Sequence, residues 1–270
     1  MQEREDGGTR PPGTAASCLL SVRGITVRFG GIVALDGISF DVDRGRITGL
    51  IGPNGAGKTT LFNCLSRLYN YSEGSITFDG QPLEHLPRHQ MARLGIGRTF
   101  QNLALFKTMS VLDNIKVGRH ARTGKGFFAN ALRLPGVAQE EHESARRARA
   151  LVDFLGLGSV ASTRVADLPF GTQKRVELGR ALASEPMLLL LDEPAAGLNH
   201  EEVGALGSLI RDIRDSFKLT VLLVEHHMSL VMKVSDQVVA LNFGRKIADG
   251  TPDEVRRHPE VIQAYLGSDD

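Results

Sequence analysis

The chain has 270 residues, ample for one large α/β domain with room for a smaller lobe. Its 32 basic and 31 acidic residues leave a net charge of +1, which excludes the basic field of a nucleic-acid partner, and with no tryptophan and three tyrosines it lacks a stacking platform for single strands. Cys18 and Cys64, the two cysteines, make neither a metal pattern nor a disulfide framework, which fits a reducing cytosol.

In chain order, "MQEREDGGTRPPGTAAS" is polar and rich in Gly and Pro, so residues 1–18 are expected to be a disordered tail; the stretch lacks the apolar core of a signal peptide. Strand-like segments with turn signals follow at 19–29, 38–43 and 74–80. Between them, "RITGLI" (46–51) is a short apolar run that enters "LIGPNGAGKTT" (50–60), and a helix is expected from Thr59 to about Leu68. The middle, roughly 105–170, changes character: "EEHESARRARALVDFLGLG" has helical spacing, with Ala148, Leu151, Val152 and Leu155 on one face. Strands return at 187–192, 219–225 and 237–242 with helical stretches between, the alternation of a mostly parallel sheet. The apolar runs "MLLLL" and "LTVLLV" are strand-sized, too short to cross a bilayer. Thr251-Pro252-Asp253-Glu254 reads as a capping box opening a short terminal helix. The expected fold class is α/β: a core of mostly parallel sheet, an antiparallel β-subdomain and a helical insertion, the core being of the P-loop NTPase type because "GPNGAGKT" (52–59) fits G-x-x-x-x-G-K-[ST]. One domain over 19–266 carries the helical part at about 105–185, and 267–270 form a short tail.

Gly52, Gly57, Lys58 and Thr59 fit G-x-x-x-x-G-K-[ST]. Glycines let the backbone curl until its N–H groups face an anion, Lys58 reaches the β/γ-phosphates, and the Thr59 hydroxyl is a ligand for Mg2+. The helix that follows aims its positive end at the same anion. A glycine-rich turn with a stray lysine is the competing reading, and the strand before and helix after weigh against it. Lys58 is expected to be an exposed loop lysine. Further on, "LLLLDEP" (188–194) is an apolar strand ending in two carboxylates. Asp192 is placed to orient the Mg2+ shell and Glu193 to polarise a water for attack on the γ-phosphate; a solvent-facing acidic pair is the alternative.

With "RTFQ" (98–101), "LPFGTQKRVELGRAL" (168–182), "LDEPAAGLN" (191–199) and "LLVEHHMSLVM" (222–232) in that order, the chain resembles the ATP-binding-cassette (ABC) ATPases over residues 19–266. "RTFQNLALFKTMSVLDNI", "EHHMSLVM" and the ending "GRKIADGTPDEVRRHPEVIQAYLG" look like the branch that serves branched-chain amino acid importers. The resemblance implies ATP contacts from Gly52, Pro53, Asn54, Gly55, Ala56, Gly57, Lys58, Thr59 and Thr60, with Phe29 stacked on adenine; a core Phe at a strand end is the other reading of Phe29. It implies a catalytic set of Glu193, His226, which would contact the γ-phosphate, and Gln101, which would touch Mg2+ and the attacking water. Thr59, Gln101 and Asp192 are the implied Mg2+ residues, partly through water. A metal site shared by His226 and His227 is disfavoured on the ground that successive strand residues point to opposite faces.

Two positions depart from the family pattern. Asn199 stands where an aspartate is usual, so its implied role is kept only as a contact across a dimer interface. In the signature segment, which runs on to Gln173, Leu168, Pro169, Phe170, Gly171 and Thr172 stand where the family has Leu-Ser-Gly-Gly-Gln, and in the family it serves the ATP of a partner subunit. Pro169 brings no hydroxyl; Gly171, Thr172 and the helix N-terminus are expected to compensate, and an Asp at position 171 to stop turnover by facing the phosphate. The resemblance implies an ATP-hydrolysing importer subunit with ATP and Mg2+ as cofactors, on the cytoplasmic face of the inner membrane. Its implied partners are a second ATPase subunit, identical or not, two permeases and, indirectly, a solute-binding protein. An importer of urea or short amides, a non-transport ABC ATPase and a non-hydrolysing interaction subunit are the alternatives; intact Glu193 and His226 weigh against the last.

Overall fold

The computed structural model describes residues 18–100, 103–121 and 137–266. The chain opens as a hairpin in which β1 (Cys18–Phe29) and β2 (Ile32–Asp43) pair antiparallel. Leu20, Val22, Ile25, Leu35, Ile38 and Val42 from these strands are fully buried. β3 (Ile47–Ile51) is buried at every position, as befits a strand covered on both faces. It delivers the chain through residues 52–57 into α1 (Lys58–Leu65), seated on the core by Leu61, Phe62 and Leu65. β4 (Glu73–Phe78) and β5 (Gln81–Pro82) complete an antiparallel sheet of order β2-β1-β4-β5. α2 (Met91–Leu94) then leads into β6 (Ile96–Arg98).

The helical part follows as α3 (Val111–Gly118), α4 (Val137–Phe154) and α5 (Phe170–Leu182). Ala148, Leu151, Val152 and Leu155, the face expected from helical spacing, are buried in one cluster with Ile115, Val176 and Leu178. Gly179 permits the close approach: a Cβ there would stand 2.7 Å from Leu155 Cδ1 and 2.9 Å from Ile115 Cδ1.

The chain then alternates again through β7 (Leu188–Asp192), α6 (His200–Phe217), β8 (Thr220–Val224), α7 (Met228–Val234), β9 (Gln237–Asn242) and β10 (Arg245–Gly250), ending in α8 (Pro252–Arg257) and α9 (Pro259–Leu266). The large sheet has the order β10-β9-β3-β8-β7-β6, parallel except where β10 pairs antiparallel with β9. The box at α8 forms as expected, Thr251 Oγ1 accepting from the Glu254 amide while Glu254 Oε2 accepts from the Thr251 amide at 2.7 Å. The expected tail loses Cys18 to β1; the rest of it and the tail at 267–270 lie outside the described residues. β6 and β10 are absent from the sequence reading. Both are the outermost strands of their sheet, and "IGR" and "RKIADG" carry neither an apolar run nor sustained alternation. Among the described residues, no helix is long and apolar enough to cross a membrane.

Candidate nucleotide site

β3, β8, β7 and β6 lie side by side and parallel, so the segments leaving their C-terminal ends share one edge of the sheet. Neighbouring strands are about 4.8 Å apart, which brings residues far apart in sequence within side-chain reach. Crevices outside the carboxyl ends of parallel strands are where open α/β sheets bind ligands.

Residues 52–57 wrap the end of β3. Gly52 (φ 151°) and Gly57 (φ 99°) are required by close approach as much as by conformation. A Cβ on Gly52 would stand 2.3 Å from the Leu241 carbonyl oxygen of β9, and one on Gly57 2.8 Å from the Ala34 carbonyl oxygen of β2. Asn54, Gly55 and Thr59 are exposed, Pro53, Gly57 and Thr60 half-buried, and Gly52 and Ala56 buried. Lys58 corrects the expectation of an exposed lysine: it is only 7% exposed. Its Nζ donates to the Gly52 and Pro53 carbonyl oxygens at 2.7 and 3.0 Å, so the cation braces the loop from inside. Burial lowers the proton affinity of Lys58, and the negative charge of Glu193 opposes the shift. Phe29, at the end of the hairpin whose Ala34 abuts Gly57, is 48% exposed and meets Tyr69 edge-on at 5.5 Å. Core packing does not account for it.

At the end of β7, Asp192 is buried and its Oδ2 accepts from Arg98 Nη2 at 2.8 Å. Glu193 adopts φ 47°, a left-handed backbone uncommon outside glycine, held by its amide donating to the Val224 carbonyl at 2.9 Å. Its Oε2 lies 3.9 Å from Nδ1 of the half-exposed His226. Glu225, missed as a functional residue, is completely buried and accepts from the amides of Ala195, His226 and His227 at 2.6, 3.1 and 3.3 Å. It fixes the turn that carries His226 against the turn that follows Glu193. A lone carboxylate directly after the apolar run "LTVLLV" is the signal that marks it. The opposite-faces reading of His226 and His227 is wrong, because β8 ends at Val224 and the two rings stack with centroids 4.5 Å apart. A metal shared by them remains disfavoured for another reason: Glu225, the carboxylate grouped with both rings, is already taken up by backbone donors. Gln101 lies outside the described residues.

The signature segment sits at the start of α5, where Gly171 helps to line a cavity shared with Thr99, Asp192 and Leu198. Leu168 is buried, Pro169 is the N-cap residue, Phe170 is exposed, and Gly171, Thr172 and Gln173 are half-buried. Gln173 Nε2 donates to the Leu168 carbonyl at 2.8 Å. Asn199 caps α6 in a reciprocal box with Glu202, a structural task that sequence reading missed. The other oxygen of Glu202 occupies the space beside Gly171, 2.8 Å from where a Cβ would stand. Gly171→Asp therefore opposes two carboxylates inside one subunit, which changes what that variant reports. It should lower the thermal midpoint by the equivalent of about 1–3 kcal/mol. Glu202→Gln in the same chain should restore part of the loss; if it restores none, the Glu202 contact is not the cause.

A phosphate-type loop, an Asp-Glu pair and a histidine at the ends of adjacent parallel strands define a nucleotide-hydrolysing protein of the P-loop class. The chain belongs to the ABC transporter ATPases: the family model described as "ABC transporter" matches residues 35–196, and one described as "Branched-chain amino acid ATP-binding cassette transporter" matches 245–270. It is thus an ATP-binding protein and an ATPase of that family. The high-affinity branched-chain amino acid transport ATP-binding proteins BraF of Pseudomonas aeruginosa and LivG of Escherichia coli are each 43% identical to it over 249 residues, covering 92% of this chain and 98% of theirs. An ATP-binding cassette of an ABC transporter in its ADP conformation superposes with a TM-score of 0.81 at 29% identity, covering 93% of this chain and 99% of that one. A nucleotide-free cassette gives 0.80 at 29% identity, covering 93% and 100%.

Proposed function

We propose that this chain is the ATP-hydrolysing subunit of an importer for branched-chain amino acids. The observation that carries the reading is the single strand-end row of Lys58, Asp192, Glu193 and His226, in a chain 43% identical to BraF and LivG over nearly its whole length. Those relatives are branched-chain amino acid transport proteins, which favours branched-chain amino acids over urea or short amides as the solute.

ATP lies with its phosphates over residues 52–60 and its adenine against Phe29. Lys58 exchanges its bonds to the loop carbonyls for bonds to the β/γ-phosphates, and the new negative charge counters the effect of burial on its proton. Thr59 and Asp192 fit a magnesium site, since a hydroxyl and a carboxylate are the hard oxygen donors that Mg2+ prefers. Bound there, Mg2+ neutralises charge developing on the phosphates. Glu193 takes a proton from the attacking water, Gln101 helps to place that water, and His226 stabilises the γ-phosphate.

Residues 168–173 serve the nucleotide of a second ATPase subunit. ATP closes the pair, hydrolysis reopens it, and two attached permeases alternate their access to a solute handed over by a binding protein. The subunit sits on the cytoplasmic face of the inner membrane, docked on those permeases. The segment after Gln101 is suited to that contact: Phe106 is 48% exposed, yet its backbone is pinned on both sides by Asn114. Leu103→Asp with Phe106→Asp should abolish leucine uptake by cells that depend on this subunit, while the purified variant keeps its fold and basal ATPase rate. Uptake equal to wild type would reject the docking segment. Normal uptake of leucine, isoleucine and valine in cells lacking the chain would reject the solute class.

A further inference from the structure

Arg98, the last residue of β6, has no role in the reading above. Its side chain is 10% exposed and that of its partner Asp192 is 5% exposed, so the ion pair is almost out of water. Nη2 donates to Asp192 Oδ2 at 2.8 Å. Nη1 donates to Ser66 Oγ at 2.8 Å and Asn63 Oδ1 at 3.0 Å, with the Phe62 carbonyl oxygen at 3.4 Å. The guanidinium carbon stands 5.7 Å from the ring centre of Phe62 and 5.2 Å from that of Phe100. A planar fork of this kind can hold a carboxylate with one arm and a helix with the other; a lysine, as a point charge, cannot. The helix it holds is α1, which begins at Lys58 and Thr59.

We propose that Arg98 is a positioning residue for the metal, a step that rests on the Mg2+ role given above to Asp192 and Thr59. It takes up Asp192 Oδ2, leaves Oδ1 as the metal-facing oxygen, and sets that oxygen's distance from Thr59 by anchoring to α1. Two effects of Arg98 oppose each other. Its positive charge, taken alone, weakens attraction of a cation to Asp192; its geometry strengthens binding by holding one arrangement. Variants that keep the charge separate the two. Arg98→Lys retains it, and Asn63→Ala with Ser66→Ala retains the whole ion pair while releasing it from α1.

The test uses the full chain with a non-hydrolysable ATP analogue, measuring analogue affinity in EDTA and in magnesium, and Mn2+ binding by electron paramagnetic resonance. Loss of partners that orient metal ligands typically weakens metal binding about 10–100-fold. Both variants should weaken Mn2+ binding to the analogue complex by about tenfold. Analogue affinity in EDTA should stay within about twofold, since the phosphate loop itself is untouched. Should Arg98→Lys fail to fold, the Asn63→Ala, Ser66→Ala chain carries the test. Equal losses with and without metal would make Arg98 a brace of the fold and overturn the proposal, as would unchanged Mn2+ binding. Asp192→Asn distinguishes the underlying reading: if it leaves Mn2+ binding intact, the metal role of Asp192 fails, and the role of Arg98 with it.

Discussion

Glu193→Gln should lower ATP turnover by about 10²–10⁴-fold, the usual contribution of a general base, while ATP still binds. The substitution keeps size, hydrogen-bonding reach and backbone, and removes the group that accepts the proton of water. In barrier terms this is about 3–5 kcal/mol. Nucleotide should accumulate unhydrolysed on the protein, and retained ATP per subunit is the direct measurement. A residual rate above about a tenth of wild type would be too fast for loss of the base. The backbone supplies a companion result. Glu193 sits at φ 47°, where a non-glycine residue stores strain of about 1 kcal/mol or more. Glu193→Gly should therefore be as inactive as Glu193→Gln yet unfold at a temperature no lower than wild type. Catalytic necessity would then be separated from any structural role of the side chain.

Lys58→Ala is expected to weaken ATP affinity at least about tenfold, because hydrogen bonds to charged partners contribute about 1.5–3 kcal/mol each. Burial of the ammonium adds a second consequence. Lys58 donates to two carbonyl oxygens of its own loop, and the variant leaves both without that donor. The thermal midpoint should fall modestly, since those carbonyls belong to a loop that water can reach once the lysine is gone. Lys58→Arg should keep the charge but lose the fit inside the loop. Binding by titration calorimetry and unfolding of the nucleotide-free form should be read side by side. A large loss of stability with unchanged ATP affinity would assign Lys58 to the loop alone.

Much of the site could be read from local spacing. Gly52, Gly57, Lys58 and Thr59 lie within one short loop and the start of its helix, and Asp192 and Glu193 follow an apolar run of strand length bounded by turn signals. Periodicity gave the buried face of α4 for the same reason, because Ala148, Leu151 and Val152 share a side of one helix whatever it packs against, and Leu155, just past its end, joins the same cluster. Even the local rules stopped where their element stopped: alternation failed for His226 and His227 because β8 had already ended.

What lay beyond the sequence is set by strand order and by burial. Arg98 meets Asp192 because β6 pairs with β7, and it meets Asn63 and Ser66 because α1 packs beneath that edge. Nothing in the period of either segment encodes those encounters. Glu225 looks like any strand-end acid until the fold removes it from water and presents it with three amides. Lys58 looks exposed until its loop closes around it, and Gly171 looks outward until α6 brings Glu202 alongside. A sequence by itself determines which residues can hold a phosphate or take a proton, since those capacities belong to the side chain and its nearest neighbours. Which charges are desolvated, and which partners hold them in place, is decided only when distant segments are packed together.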